Sequence, residues 1–376
     1  MPPKFGIGAK YIAGLVSIHQ AANAGQGIIN FIDLTAGEIR VGGAIGNGTT
    51  GARVRLNDPI GRFGRKMTPD VRFTIDEDNP TVRATTGYPM CIPRTVADDS
   101  LCPQGNRPKD LTGAFLAIFT MPPPPGAGML PDPTRQAPLE VGDFVTYSGL
   151  LAKDTTGSTY VSADTVIADL GIYTAPGTKP AYVAIFLTII GVIGDPNSPL
   201  AQEVTLRTRY EGFTTDPTQP VDVFAVDVQP CTGAVTDRLY GTAIPDTVAQ
   251  KGRWRFRPGN NNPSFQPATR EVRAVSRTGV ASTPVANGLI AGQYRLPNDV
   301  YVFPERITPG AQQVPLPFEN IPFLVNGSGP FPGADPINPV PAGRVGQLSP
   351  FPVSTPGAAP PTAVVCALTP SAKPRR

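Results

Sequence analysis

The sequence is poor in the side chains on which most hydrolytic and metal-dependent sites depend. It contains one histidine, His19, in 376 residues, and charged residues make up only 16% of the chain. His19 follows an apolar segment, and no G-x-S-x-G element occurs that would present a nucleophilic serine to it. We therefore expect a structural or surface role for this histidine, and we assign no catalytic residue.

Long apolar runs and a strong net charge are also missing. No segment approaches the roughly 20 apolar residues that a membrane-spanning helix needs, so no membrane span is predicted. The formal net charge is only +3, and part of it lies in the terminal segment 373–376. Because so small an excess creates no strong field over the whole surface, the composition gives no support for nucleic acid as a partner.

Proline and glycine are abundant instead, with 46 and 40 residues. Proline removes a backbone donor and ends helices, and glycine weakens them, so little of the chain can be helical. Short runs of valine, isoleucine, threonine, tyrosine and phenylalanine lie between these residues, as is typical of strands. The sequence therefore predicts a mostly β protein with long ordered loops, and its length predicts two domains.

The first predicted domain covers residues 1–174 and is an OB-like small β-barrel. Strands are expected at 11–19, at 27–33 continuing through 38–42, and at 52–57, with Gly37 in a hairpin turn. Strand periodicity returns at 139–149 and 159–166, and these segments resemble the later strands of such a barrel. The interval 58–138 is rich in proline and is predicted to be a long inserted loop.

The second predicted domain covers residues 175–326 and is an immunoglobulin-like β-sandwich. The turn-rich segment 174–180 is the expected boundary. Residues 181–193 are long and apolar enough for a helix, but their β-branched and aromatic content favours a buried strand. Further predicted segments are strands at 204–210, 221–228, 252–257, 271–277 and 299–303, then a proline- and glycine-rich tail over 327–376.

Four cysteines allow two disulfides. Cys91 and Cys102 lie eleven residues apart in a proline-rich segment, a separation that a disulfide can close, and their bridge is predicted. For Cys231 and Cys366 the sequence leaves two alternatives, a second bridge that ties back the tail or two free thiols.

Two features bear on the cellular setting. The sequons that begin at Asn47 and Asn326 are candidate glycosylation sites and suit a secreted protein. Lysines precede the apolar segment 11–18 as in a signal peptide, but Gly14 and Ser17 interrupt this short segment and favour a strand. The chain as given therefore shows no convincing signal peptide, and we expect it to begin inside a longer gene product.

One basic segment is the sharpest candidate for a ligand-binding site. Strand alternation places three arginines on one face and two aromatic residues on the other: Arg253, Arg255 and Arg257 against Trp254 and Phe256. Such a stripe could hold a phosphate or an acidic glycan. The favoured alternative is a half-buried strand whose aromatic residues fill the core while its arginines are solvated or paired with Glu271 and Asp222.

Carboxylates supply the remaining candidates. Asp70, Asp76 and Asp78 lie in one acidic stretch, whose oxygens a calcium ion in an extracellular loop would accept. The stretch lacks the spaced D-x-D-x-D-G pattern with a distal glutamate, so a solvated loop without a cofactor is the favoured interpretation. Glycoside hydrolysis would need two carboxylates facing each other across roughly 5 to 10 Å, a pairing that sequence positions do not reveal.

Seven short motifs bear on the family to which the chain can be compared. They are Tyr11-Ile12-Ala13-Gly14-Leu15, Arg40-Val41-Gly42-Gly43, Arg55-Leu56-Asn57-Asp58-Pro59, Gly61-Arg62-Phe63-Gly64, Thr86-Gly87-Tyr88-Pro89-Met90-Cys91-Ile92-Pro93-Arg94, Tyr173-Thr174-Ala175-Pro176-Gly177 and Pro322-Phe323-Leu324-Val325-Asn326-Gly327-Ser328-Gly329-Pro330. Through these motifs the chain resembles a group of uncharacterised, secreted, β-rich proteins of filamentous fungi. The resemblance implies an extracellular setting and brings no known activity.

The expected function is that of a non-enzymatic extracellular or cell-wall-associated structural or binding protein. A cell-wall polysaccharide or another extracellular protein is a candidate partner and glycan binding a candidate mode, while the sequence does not identify the ligand. One alternative is a secreted carbohydrate-active hydrolase whose acid pair is assembled only in the fold. The other is a polyanion-binding module that uses the stripe of Arg253, Arg255 and Arg257.

Overall fold

The structure is a computed structural model that describes residues 14, 23–95, 99–126, 128–192, 207–258, 267–281, 284–303, 310, 316–331 and 343–366. Across these residues the chain is mostly β, as the sequence predicts, with short 3₁₀ turns and a four-residue helix, α1 (Pro322–Val325). Apart from Gly14, the strand predicted at 11–19 lies outside the described residues, and so does His19.

The N-terminal half contains strands β1 to β10. They are β1 (Gly25–Asp33), β2 (Glu38–Val41), β3 (Ala52–Leu56), β4 (Val82–Ala84), β5 (Met90–Cys91), β6 (Ile118–Met121), β7 (Ala137–Pro138), β8 (Phe144–Lys153), β9 (Thr159–Ala168) and β10 (Gly171–Thr174). The segments predicted as barrel strands between residues 27 and 166 overlap β1, β2, β3, β8 and β9.

These five strands close on themselves. β1 pairs antiparallel with β2 and with β8, while β2 pairs with β3 and β8 pairs with β9. β3 then pairs in parallel with β9, where Val54 lies opposite Val161, and this completes the ring. β4 continues the parallel pairing along β9. Because the ring is closed, each of its five strands has a paired neighbour on both sides along part of its length.

The turn between β1 and β2 follows the sequence prediction. Gly37 has a φ of +62°, in the left-handed region that favours glycine. Asp33 closes the turn, because its Oδ1 accepts the backbone N–H groups of Thr35 and Ala36. Strand alternation then sends Ile39 into the core, where it is fully buried.

The inserted segment between β3 and β8 is ordered and helps to fill the barrel core. Asp58 organises its start, because its carboxylate oxygens accept the backbone N–H groups of residues 61–64. Three large side chains of the segment are fully buried with the barrel residues: Phe63, Tyr88 and Met121. The predicted Cys91–Cys102 disulfide is confirmed, with Cα atoms 5.9 Å apart.

The C-terminal half contains strands β11 to β20. They are β11 (Val183–Gly191), β12 (Arg209–Thr214), β13 (Val221–Val228), β14 (Val235–Ala243), β15 (Arg253–Phe256), β16 (Glu271–Ser276), β17 (Gln293–Pro297), β18 (Val300–Val302), β19 (Ser328–Phe331) and β20 (Gly343–Val345). One sheet has the order β15-β12-β11-β18, and a second has the order β14-β13-β16-β17. The apolar stretch 181–193 is a strand as predicted, since β11 occupies most of it.

The two sheets bury a common apolar core. Trp254 and Tyr210 of the first sheet meet Val223 and Val272 of the second, and all four are fully buried. The sequence did not predict β14 or β17. Most residues of β14 are exposed because this strand lies at the outer end of its sheet, so it lacks the apolar alternation that marks a buried strand.

Barrel and sandwich share buried contacts. Tyr182, just before β11, belongs to the barrel's core cluster, as do Ala286 and Leu289 from the loop between β16 and β17. The Tyr182 hydroxyl donates to the carbonyl oxygen of Pro133 at 2.8 Å, and its ring meets Tyr88 edge-on. The two halves of the chain therefore pack against each other.

The segment after the sandwich returns and is fastened to it. Leu324 of α1 lies in an apolar cluster with Ile190 of β11 and Phe351. Cys231, in the turn between β13 and β14, is bonded to Cys366, which decides the pairing that the sequence left open. The described part of the predicted tail is thus attached to the sandwich by an apolar cluster and a covalent bond.

Candidate functional site

The arginine stripe predicted from the sequence lies on β15. Trp254 and Phe256 point into the sandwich core and are buried, as the alternation predicts. Arg253 and Arg255 point to the opposite face of the sheet, and Arg257 follows the end of the strand as an exposed residue. The strand period therefore separates a core face from a cationic face.

A buried glutamate organises this cationic face. Glu211 on β12 is fully buried, and Arg255 lies opposite it in the sheet register. Arg255 donates from Nε to Glu211 Oε1 at 2.6 Å, and Arg253 donates from Nη2 to Oε2 at 2.6 Å. Arg209, two residues before the glutamate, donates to Oε1 as well. One carboxylate thus fixes three guanidinium groups.

Arg253 and Arg255 do bind a carboxylate, but the predicted partners Glu271 and Asp222 are wrong. Glu271 binds Arg295, and Asp222 binds Arg277, on the second sheet. The sequence missed Glu211 because 42 residues separate it from Arg253. The one local indication of Glu211 as a partner is that it lies two residues after Arg209, so that both side chains share one face of the strand.

The site keeps an excess of positive charge. Burial raises the pKa of Glu211, but hydrogen bonds from Arg209, Arg253 and Arg255 outweigh that effect and lower it to about 2. The carboxylate is therefore ionised at neutral pH and offsets only one of the three guanidinium charges. The Arg255 side chain is 45% exposed, so it can still meet a ligand from solution.

An exposed aromatic ring adjoins the arginines. Phe186 on β11 is 45% exposed, and its ring centre lies 5.6 Å from that of Phe213. The guanidinium carbon of Arg253 lies 5.9 Å from the Phe186 ring centre. We call this group the sheet-face site, and it consists of Arg209, Glu211, Arg253, Arg255 and Phe186.

The barrel carries a second cluster of the same design. Glu38 on β2 is 2% exposed and binds three arginines, one on its own strand and two on β3: Arg40, Arg53 and Arg55. Asp154 also accepts from Arg53, at 2.7 Å. The three arginine side chains are only 14% to 19% exposed. With two carboxylates and little exposure, this barrel cluster is a structural ion-pair network.

Burial raises the pKa of two described carboxyls, Asp164 and Glu140, and a raised pKa is what a general acid requires. Burial raises the pKa of Glu140 to about 7, and the Gln104 side-chain amide hydrogen-bonds it. Asp143 follows in the same turn and is held by Arg107 at 2.7 Å. The backbone N–H of Glu140 donates to Asp143 Oδ2 at 2.8 Å, which makes the pair part of one tight turn.

The acidic stretch uses its carboxylates within the loop. Asp70 binds Arg72, which lowers the pKa of that carboxyl to about 2. Asp76 accepts backbone N–H groups from Asp78 and Asn79. Among the described residues no group of three or more histidine, cysteine, aspartate or glutamate side chains is arranged to hold a metal ion. Calcium binding by Asp70, Asp76 and Asp78 stays a prediction.

The two sequons have different surroundings. Asn47 lies exposed in the loop between β2 and β3, and its Oδ1 accepts both the backbone N–H and the hydroxyl of Thr49. Asn326 ends α1 and lines a cavity of about 250 Å³. Asp227 is the single carboxylate among the described residues lining that cavity, and Arg238 binds both of its oxygens.

Comparison of the sequence with models of known protein families gives no match, and comparison with curated proteins gives none. In the described part of the chain, no helix has both the length and the apolar character that crossing a membrane requires.

Proposed function

We propose that this chain is a non-enzymatic, extracellular or wall-associated binding protein that holds an anionic glycan at the sheet-face site. The observation that carries the proposal is the fixed array of Arg209, Arg253 and Arg255 around one buried carboxylate. Because Glu211 orients the guanidinium groups before any ligand arrives, little side-chain entropy is lost on binding. Guanidinium groups bind carboxylate and sulfate oxygens, and the exposed Phe186 ring offers a flat apolar surface to a sugar.

We assign the barrel to an OB-like fold. Its strands in chain order are β1, β2, β3, β8 and β9, with antiparallel pairing of first and second, second and third, first and fourth, and fourth and fifth. The third and fifth pair in parallel. This order, in a five-stranded barrel built around an opening meander, supports the assignment.

We assign the second half to an immunoglobulin-like sandwich with an added strand. If β11 to β17 are strands A, B, C, C′, E, F and G, the sheets have the orders E-B-A and C′-C-F-G. The strand order within each sheet supports this assignment, and so does the way in which the chain passes back and forth between the two sheets. β18 adds to strand A in parallel.

Binding without turnover is favoured over hydrolysis by the placement of the acids. Glu140 and Asp143 belong to one turn and do not line the described cavity. Asp227 does line it, but as its only described carboxylate, and Arg238 holds it. Hydrolysis of a glycoside needs two carboxyl groups on opposite sides of the scissile bond, and neither place offers them.

The proposed extracellular setting has two supports. Disulfides persist in oxidising compartments, and both cysteine pairs of this chain are bonded. The resemblance to secreted proteins of filamentous fungi agrees with this setting, and a wall polysaccharide is the partner that such a setting implies.

The test measures retention of the purified protein on polygalacturonate and heparin against a neutral β-glucan. We expect retention on the two anionic glycans that weakens steeply with salt, because salt screens exposed charges. Arg255→Gln should weaken binding about tenfold, the equivalent of one charge-assisted contact. Arg277→Gln removes the same charge from a 53% exposed arginine on the other sheet and should leave binding unchanged.

Three results would contradict the proposal. Equal loss of binding in both variants would reduce it to unspecific charge attraction. Stronger retention on single-stranded DNA than on any glycan would assign the site to nucleic acid. Release of new reducing ends from any of the glycans would make the protein a hydrolase.

A further inference from the structure

The cavity beside Asn326 lies where the C-terminal segment meets the sandwich. One wall comes from β13, β14 and the residues before β16, and it includes Asp227, Arg238 and Arg270. The other wall comes from α1 and the residues after it, including Phe323 and Asn326. A molecule in this cavity would therefore contact both the sandwich and the segment that is fastened to it.

Asn326 is one of the residues that line this space. It is the C-cap of α1, and its backbone N–H donates to the Pro322 carbonyl at 2.8 Å. Its side-chain amide makes no hydrogen bond to any other described residue, whereas the Asn47 side chain is bound to Thr49. Asn326 also begins the sequon completed by Ser328.

An aromatic side chain stands one helical turn before the sequon and lines the same cavity. Phe323 precedes Asn326 by three residues, the spacing that brings two side chains together on a short helix. The carbon-bound hydrogens on one face of a pyranose ring form an apolar surface that can cover a phenyl ring. Arg238 and Asp227, which bind each other, line the opposite wall and make it polar.

We propose that Asn326 carries an N-linked glycan and that its first N-acetylhexosamine ring occupies this cavity, against Phe323. The inference rests on the extracellular setting of the proposed function. In the transfer, Asn326 Nδ2 forms a bond to C1 of a lipid-linked oligosaccharide diphosphate. The bond from C1 to the diphosphate oxygen breaks, the lipid diphosphate leaves with its electron pair, and a base takes the proton from Nδ2.

The transfer precedes closure of the C-terminal segment. Ser328 is only 6% exposed, and it lies in β19, opposite Val345 of β20. A transferase must reach the sequon, and the burial and pairing of Ser328 prevent that access in the folded chain. Once the segment closes, the sugar bridges α1 and the sandwich, so the glycan stabilises the attachment of that segment.

The experiment uses the full chain secreted from a eukaryotic host, with Asn47→Gln and Asn326→Gln variants. Mass spectrometry of peptides should show both Asn326 and the exposed Asn47 occupied. Under native conditions, an endoglycosidase should release the Asn326 glycan at least about tenfold more slowly than the Asn47 glycan, because the enzyme must wait for local opening. Denaturation should abolish the difference, and Phe323→Ala should remove most of it.

The outcomes separate this inference from the proposed function. An unmodified Asn326 beside a modified Asn47 overturns the inference and leaves the secreted setting intact. Equal native release rates at the two sites show a glycan outside the cavity and also overturn it. Retention on anionic glycans is measured independently, on unglycosylated protein, and its failure would count against the proposed function alone. If Phe323→Ala fails to fold, the release rates of the unaltered protein decide the question.

Discussion

Replacing Glu211 by glutamine tests whether one carboxylate organises the sheet-face site. The pKa of Glu211 falls from 4.5 to about 2 in the folded chain, which at about 1.4 kcal/mol for each pH unit corresponds to about 3 kcal/mol. The three arginine side chains remain 24% to 45% exposed, so solvent screening reduces the expected loss to about 2 kcal/mol. We expect Glu211→Gln to lower the free energy of unfolding at pH 7 by that amount.

The pH dependence supplies a second readout. A carboxyl whose pKa is lowered by folding stabilises the folded state above its unfolded pKa, and this contribution disappears as pH falls through the folded pKa. For Glu211 the contribution is present above pH 4.5 and is lost toward pH 2. The variant should therefore lose less stability than the unaltered protein between these two pH values.

The assay is urea unfolding at pH 7, 4.5 and 3, followed by tryptophan fluorescence, since Trp254 is in the core of the same sheet. Glu271→Gln is the matched control. Its partner Arg295 is 36% exposed and the glutamate 32%, so the control should cost less than about 1 kcal/mol. If the two variants lose the same stability, or if Glu211→Gln leaves the acid dependence unchanged, the organising role of Glu211 is refuted.

Two further perturbations have outcomes set by the structure. Removing the Cys91–Cys102 bridge by a double serine substitution should lower the free energy of unfolding by about 3 kcal/mol. Removing the Cys231–Cys366 bridge should lower it more, because that bridge closes a loop of 135 residues. Calorimetry of both variants checks this order, and a smaller loss from the longer loop would contradict it. Glu140 has a pKa raised to about 7, so its contribution is full below pH 4.5 and is lost as pH rises through 7. Glu140→Gln should flatten the stability profile between those values in urea titrations, and an unaltered slope would contradict the burial argument.

Much of the fold could be predicted from the sequence, because the alternation of side chains along a strand depends only on neighbouring residues. The alternation in β15 placed Trp254 and Phe256 in the core, and the glycine at position 37 marked the first hairpin. The short separation of Cys91 and Cys102 identified one disulfide. The same reasoning missed β14, because an exposed outer strand has no apolar side to repeat.

The candidate site was predicted only in part. The arginines of β15 were identified as one face of a strand, but their partner was not, since the register that sets Arg255 opposite Glu211 joins residues 44 positions apart. The sequence did not identify Phe186 as part of the site, because an aromatic residue within an apolar segment is predicted to be buried, whereas this one is exposed.

The sequence by itself determined that this chain is β-rich, since abundant proline and glycine divide it into segments too short for helices. The alternation within those segments also determined which side chains share a face. Only the tertiary structure decided which carboxylate neutralises which arginines, how Cys231 is paired and which sequon borders a cavity. Those outcomes depend on strand pairing and chain return between distant residues, and a buried charge takes the partner that the completed sheet places beside it.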